Sequence, residues 1–456
     1  MMLRHWQSEC IRKAMRQYQK GQRHFFCQAT PGAGKTKMSA ELARNMLDTG
    51  LIDLVVCFAP SREVVSGFRS TLEGTIGKTF DGRLGSLGVA LTYQAMGYLD
   101  DNFWSLFSNY RVLAVFDEIH HCSDHGAGIS NHWGQLIVQR IQDSAAFTLA
   151  LSGTPWRSDE LGIALARYST PEGKLICDYR YSLRQAVADG VCRSPRIVLL
   201  DNEDVNLTVT IGQDRKVKQF KSIATLLSDS SVRYQDLLDN TRAITCMLEH
   251  ANARLNELRR SVKDAAGLVV ASTIEHAWQI AVALETLGER ACVVSSESPD
   301  ARSLIQAFRS GSERWIVAVG MIAEGTDIPR IQVCCHLTRV RTELHFRQVL
   351  GRTLRRRSEN DNYAWMYIYA EPALHGFALR VAEDIPGDQV VLSAANKFQG
   401  TEIATNPDPE VVTQTGQAST HLSDCFDVDK PEVLSVRPHR LLQFSEHFRH
   451  QLLTIF

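Results

Sequence analysis

Two successive series of short apolar runs, separated by helix-periodic stretches, restrict the fold of this chain more than any other feature. The first comprises His24–Cys27, Leu54–Phe58, Val89–Leu91, Val112–Phe116 and Phe147–Leu151, and the second Gly267–Ala271, Ala291–Val294, Trp315–Val319, Ile331–His336 and Tyr363–Tyr369. Apolar runs closed by Gly, Pro, Ser or Thr and alternating with helices predict α/β structure, a doubly wound parallel sheet. The helix after His24–Cys27 is legible in detail. Met38, Leu42 and Met46 recur at i, i+4 and i+8 while Lys37, Glu41 and Arg44 fall elsewhere, so one stripe packs on a sheet. Two series predict two sheets, in keeping with 456 residues, because a single core stops growing at roughly 250 to 300.

Residues 1–197 are therefore expected as a first domain and 263–373 as a second. Between them, Asp201–Gly212 is polar and turn-rich and Leu226–Arg260 reads as charged amphipathic helix, so 198–262 is expected to be a connector or accessory helical segment. Residues 374–456 form an acidic C-terminal extension, Gln/Thr/Asp-rich over Thr401–Asp429 and amphipathic near Leu441–Phe456.

The net charge of −1 hides a split. Residues 371–456 carry 6 Lys and Arg against 12 Asp and Glu, leaving +5 for residues 1–370, so the basic part is the part that holds the motifs described next. With 44% hydrophobic and 22% charged residues the composition is that of globular protein and excludes extensive disorder. No run approaches the ~20 apolar residues of a membrane span, and the start MMLRHWQSEC lacks the apolar stretch of a signal peptide, so a cytoplasmic protein without membrane attachment is expected. The eleven cysteines are scattered singly through apolar segments, as at Cys27, Cys57 and Cys292, apart from the Cys334–Cys335 pair. They read as small buried hydrophobes in a reducing compartment, not as a disulfide framework.

Ala29-Thr30-Pro31-Gly32-Ala33-Gly34-Lys35-Thr36 lies between a predicted strand and the Met38/Leu42/Met46 helix. Glycines at 32 and 34 let backbone N–H groups converge on phosphate oxygens, Lys35 adds a point charge, and Thr36 offers a hydroxyl to Mg²⁺. The pattern begins with Ala29 where the usual P-loop formula has Gly, and a Gly-rich helix cap is the competing interpretation. Asp117-Glu118-Ile119-His120 follows the run Val112–Phe116. Two carboxylates at the carboxyl end of a buried parallel strand occupy the crevice where such sheets bind ligands, a costly place for charge without a cation. Asp117 would hold Mg²⁺, and Glu118 would orient or deprotonate an attacking water. The nearby His120, His121, Cys122, His125 and His132 match no tetrahedral zinc spacing.

In this order the motifs resemble the superfamily 2 helicases, in their DExH branch. DEIH is Asp117–His120 and the next motif is Ser152-Gly153-Thr154-Pro155. The fifth resembles Gly320-Met321-Ile322-Ala323-Glu324-Gly325-Thr326-Asp327-Ile328-Pro329, and the sixth Gln348-Val349-Leu350-Gly351-Arg352-Thr353-Leu354-Arg355. The resemblance spans roughly Leu3 to Arg357, and agreement in order makes it specific. It implies two RecA-like lobes sharing one ATP·Mg²⁺ site, with Thr30, Gly32, Ala33, Gly34, Lys35, Thr36, Asp117 and Glu118 from one side. From the other come Arg352 and Arg355, whose guanidinium groups would reach the γ-phosphate, with Gly325 and Asp327 near the nucleotide. Gln7 resembles the family's adenine-reading glutamine. Ser152, Thr154 and Gln348 are expected to couple ATP state to lobe closure. Ser61, Arg62, Thr92, Ser272 and Thr326 are expected on a nucleic-acid backbone, while Arg356 and Arg357 read as a solvated basic helix face. The strings resemble DNA-repair and restriction-type motors more than RNA enzymes, so DNA is the expected track and RNA the runner-up. An ATPase subunit of a larger assembly, meeting protein partners through the C-terminal extension, stays open. A nucleotide-binding scaffold without turnover is disfavoured by the presence of Lys35, Glu118, Arg352 and Arg355.

Overall fold

The computed structural model describes residues 3–124, 132–155, 162–211, 214–320, 328–383 and 439–454. Its first lobe is a six-stranded, wholly parallel sheet. In chain order the strands are β1 (His24–Ala29), β2 (Leu54–Ala59), β3 (Gly88–Thr92), β4 (Val112–Phe116), β5 (Phe147–Ser152) and β6 (Tyr179–Tyr181), arranged β6-β1-β5-β4-β2-β3. The central strands are short and apolar because both faces of the sheet are covered there. Phe25, Cys27, Val55 and Cys57 enter one core layer, and Phe26, Val56 and Phe58 the other. Helix α1 (His5–Gln19) buries Trp6, Cys10, Ile11, Ala14 and Tyr18. Helix α2 (Lys35–Asp48) buries Met38, Leu42 and Met46 completely, each contributing about 1.5 to 3 kcal/mol relative to exposure.

The second lobe contains β7 (Ser194–Asn202), β10 (Ala266–Ala271), β11 (Ala291–Ser295), β12 (Trp315–Val319), β13 (Ile331–Leu337), β14 (Tyr363–Tyr369) and β16 (Phe448–Thr454). Their order is β11-β12-β10-β13-β14-β7-β16, parallel except at the last pairing. A separate three-stranded antiparallel sheet joins β8 (Val205–Ile211) to β9 (Asp214–Phe220) on one side and β15 (His439–Phe444) on the other. Each lobe is thus a mixed α/β layer structure around a parallel sheet, of the RecA-like kind.

Three expectations are corrected. The boundary at 197/198 cuts through β7, which pairs with β14 and belongs to the second sheet. The presumed helical connector opens with three strands, because Val205, Leu207 and Val209 alternate with polar residues and bury one face against Leu226, Val232 and Phe444. Its long helix (Thr241–Ser261) then buries Ile244, Met247, Leu248 and Leu255 in the second lobe's core. The C-terminal extension is likewise part of that lobe at both ends. Helix Pro372–Ala382 begins before residue 374, and the amphipathic end is β15 and β16, which pair antiparallel with β8 and β7 respectively.

His336 is fully buried near the carboxyl end of β13 with neither ring nitrogen hydrogen-bonded, and burial pushes its pKa down to about 3. Burial also lowers His345, its ring 5.6 Å away, to about 4. Both imidazoles are held neutral when folded, so below an unfolded pKa of about 6.5 the unfolded chain binds protons that the native state refuses, and stability falls with falling pH. Thermal unfolding scans between pH 7.5 and 5 are expected to show this decline, at most about 1.4 kcal/mol per pH unit for His336. In the same scans His336→Phe should flatten it, and an unchanged slope in that variant would refute the assignment.

Candidate functional site

The carboxyl ends of the two sheets face one cleft. A cavity of about 700 Å³ there is lined by Gly32, Gly34, Lys35, Thr36, Asp117 and Glu118 from the first lobe and by Gln348, Arg352 and Arg355 from the second. The Pro31–Gly34 turn leaves β1 and enters α2 through Gly34, whose φ of 95° is left-handed and suits glycine. Thr30, which precedes the turn, and Ala33 within it are both buried.

Lys35 is buried, and its Nζ lies 3.0 Å from Glu118 Oε1. Glu118 itself has φ 50° and ψ 52°, a strained backbone for a residue with a Cβ, at a cost of about 1 to 3 kcal/mol that recurs at functional sites. Its other oxygen accepts from the Gly153 amide at 3.2 Å and lies 3.4 Å from His120 Nδ1. Burial works against the Glu118 charge, but Lys35 first and His120 next outweigh it and hold the carboxyl well below its usual range. Asp117 behaves oppositely: burial, then the neighbouring Glu118 charge, push it up to about 7. Its Oδ1 is buried with no hydrogen-bond partner. An orphaned carboxylate oxygen in the same cavity as the Thr36 hydroxyl is a donor set that fits a hard divalent cation.

His120 joins the lobes. Its Nδ1 is 3.0 Å from Ser152 Oγ, which also accepts from the Thr154 amide at 3.2 Å, and its Nε2 is 3.5 Å from Gln348 Nε2 across the cleft. The residues expected to couple the lobes, Ser152, Thr154 and Gln348, therefore meet around one buried imidazole. Arg352 caps the helix Glu343–Gly351, and Arg355 lies in the turn beyond it. Arg356 and Arg357 are not a solvated helix face, since the helix has ended. Arg356 donates to the carbonyls of Gly190 and Glu359, and Arg357 pairs with Asp264 at 2.6 Å.

The Gln7 amide is engaged at both ends, donating to Gly34 O at 2.9 Å and accepting from the Arg4 amide at 2.9 Å. Ser61, just beyond β2, and Thr92, at the end of neighbouring β3, use their hydroxyls as helix caps, accepting from Val64 N and Ala95 N. Arg62 beside them is exposed. Ser272, at the matching end of β10, accepts from the Arg339 amide at 3.1 Å. Gly325, Thr326, Asp327 and His125 lie outside the described residues. The sequence reading missed Arg4, which donates to Ala33 O at 2.6 Å, and Arg302 and Arg309, which line the cleft from the helix Ala301–Ser310. Their seven-residue spacing on one polar face was the available signal.

Two family models match the chain: the type III restriction enzyme res subunit over residues 1–157 and the helicase conserved C-terminal domain over residues 250–357. The chain belongs to the superfamily 2 helicases of the restriction and repair type. The family thus accounts for two lobes facing one cleft. Among its curated relatives, an uncharacterized protein of Mycobacterium leprae is 28% identical over 92% of this chain, and one of Mycobacterium tuberculosis is 29% identical over 82%. The chain spans 70% and 62% of the length of these two proteins. The DNA 3'-5' translocase XPB2 of Sulfurisphaera tokodaii is 24% identical over 72% of this chain and 74% of its own length. In fold, the chain is similar to a fragment assigned to the HsdR subunit of a type I restriction enzyme from Vibrio vulnificus. That match has a TM-score of 0.58 at 17% identity and covers 84% of this chain and 67% of the other. The ATP-dependent Type ISP restriction-modification enzyme LlaBIII, solved bound to DNA, gives 0.51 at 14% identity over 81% of this chain and 28% of its own.

Asp117→Asn removes a buried charge that the ligand-free protein must tolerate. It is expected to raise the unfolding midpoint by about 2 to 4 °C while cancelling the further rise that Mg·ATP gives the parent protein. Calorimetry reads both, and a lower midpoint without ligand would contradict the charge argument.

Proposed function

We propose that the chain is an ATP-driven motor on nucleic acid, hydrolysing ATP between its lobes and moving along DNA. The observation that carries this reading is the single cleft lined by Lys35, Thr36, Asp117 and Glu118 on one side and Gln348, Arg352 and Arg355 on the other. Triphosphate oxygens would draw Lys35 from Glu118 onto the phosphates. Released from its 3.0 Å ion pair, the Glu118 carboxylate becomes more basic and is placed to orient water or accept its proton. Arg352 and Arg355 supply positive charge opposite Lys35, where charge develops on the transferred group, an effect worth ~10³ to 10⁵ in rate. Thr36 and Asp117 would hold Mg²⁺, which when bound screens the phosphate charge. His120, between Glu118 and Gln348, passes the state of the carboxylate to the second lobe, so hydrolysis and lobe separation are linked.

DNA is favoured because one curated relative is a DNA translocase and a structural neighbour was solved on DNA. Ser61, Arg62 and Thr92 in one lobe and Ser272 and Thr326 in the other are the proposed backbone contacts, with hydroxyls and a cation suited to phosphates. All cysteines among the described residues are free thiols, as a cytoplasmic site of action requires. Among the described residues no helix is long and apolar enough to cross a membrane. Residues 374–456 are the proposed contact with protein partners.

ATPase rates measured with no nucleic acid, single-stranded DNA, duplex DNA and RNA are expected to rise most with DNA. Lys35→Ala should abolish turnover, and Arg355→Ala should lower kcat by about 10³ with ATP affinity retained. Equal rates in all four conditions would remove the motor reading, the largest rise with RNA would replace the track, and normal hydrolysis by the Arg355 variant would remove the two-lobe site.

A further inference from the structure

Arg193 lies where the chain passes from the first lobe into β7, and it is completely buried. All five of its N–H donors are used. Nε and Nη2 clamp the two Asp361 oxygens at 2.5 and 2.6 Å, Nη1 donates to the carbonyls of Ile331 and Thr353 at 2.6 Å each, and Nη2 donates to Pro329 O at 2.8 Å. Asp361 is shared further, accepting from the Arg357 amide at 3.1 Å and from Gln332 Nε2. One guanidinium plane thus fixes four segments: the linker between the lobes, the chain around Pro329–Ile331, the turn that carries Arg352 and Arg355, and the segment that carries Asp361.

The backbone repeats the same connection. Arg193 N donates to Leu354 O at 2.8 Å, and Cys192 forms an isolated antiparallel bridge with Arg355. Cys192 Sγ also lies 3.6 Å from Pro31 O in the phosphate-side turn of the first lobe. For stability alone, a buried ion pair is a poor device, because desolvation of both charges offsets their attraction and apolar replacements are often as stable. What five directed bonds supply is geometry: a planar fork tolerates little rotation, and lysine cannot reproduce it.

We propose that Arg193, clamped by Asp361, is a positioning residue that holds Arg352 and Arg355 in register with the interlobe linker, so that rotation of the lobes carries both arginines as one body. This rests on the reading of the cleft as an ATPase site. It places a determinant of turnover outside the cleft, in a residue that never meets nucleotide. Misplacement of a reacting group by about 1 Å can cost up to 10²-fold in rate.

The test uses the full chain as wild type, Arg193→Lys, Asp361→Asn, Arg355→Ala and the double variant Arg193→Lys/Arg355→Ala. Steady-state ATPase with the most stimulating nucleic acid, fluorescent-ADP affinity and thermal unfolding are measured for each. The expected result is that Arg193→Lys and Asp361→Asn fold, bind ADP within about twofold of wild type, and lose kcat by roughly ten- to a hundredfold at little-changed KM. With Arg355 already removed, Arg193→Lys should cost less than its full single-variant factor, because only the part of its effect that travels through Arg352 remains. Wild-type kcat in both single variants, or a double variant slower than Arg355→Ala by the full single-variant factor, overturns the proposal. Failure of both single variants to fold overturns it too, making the pair an element of stability only. A wild-type chain that hydrolyses no ATP under any condition instead removes the underlying ATPase reading, an outcome separate from these.

Discussion

The approach of two turns, Pro31–Gly34 from one lobe and Gly351–Arg355 from the other, governs the geometry of this molecule. A Cβ placed on Gly351 would stand 2.8 Å from Pro31 Cβ, closer than such atoms come, so glycine there is what lets the helix end press against the opposing turn. With that contact made, two sheets that fold around separate strand sets present their carboxyl ends to a common cavity, the place where open parallel sheets bind ligands. The elements outside the sheets serve the same meeting. Arg4 and Gln7 brace the first turn through Ala33 O and Gly34 O, and Cys192 and Arg193 brace the second.

Charge inside the cleft is arranged against stability and toward ligands. Glu118 is kept ionised by Lys35 despite its burial, while Asp117 beside it has an oxygen with no partner and a pKa raised by that burial. A left-handed backbone at Glu118 adds local strain. A chain optimised only to fold would carry none of these, and sites of function are where such departures from local consistency are expected.

Much of this was legible in the sequence. All ten expected strands form, because a parallel strand covered on both faces must be a short apolar run, and such runs stand out between amphipathic helices. The residues that line the cleft were legible for a different reason, as motifs of fixed spacing: Gly32, Gly34, Lys35 and Thr36 between a strand and a helix in the first lobe, and Gln348, Arg352 and Arg355 in the second. What failed depends on pairing partners distant in the chain. Strands Val205–Ile211 and Asp214–Phe220 look like polar loop until His439–Phe444 arrives from over two hundred residues away to complete their sheet. Phe448–Thr454 becomes a strand only because β7 offers an edge. Arg193 was invisible for the same reason: a lone arginine in Val191-Cys192-Arg193-Ser194 gives no sign that its four partner residues lie 136 to 168 residues further on.

On the ATPase reading, one triphosphate is held by Lys35 and by Arg352 and Arg355 at once. A crystal structure of the full chain with Mg·ADP and a planar γ-phosphate mimic such as aluminium fluoride tests it most directly. The expected result is both guanidinium groups within hydrogen-bond distance of the mimic while Lys35 Nζ has left Glu118 for the phosphates. Nucleotide seated on the Pro31–Thr36 turn with both arginines directed away from it, in every copy in the crystal, would contradict the claim.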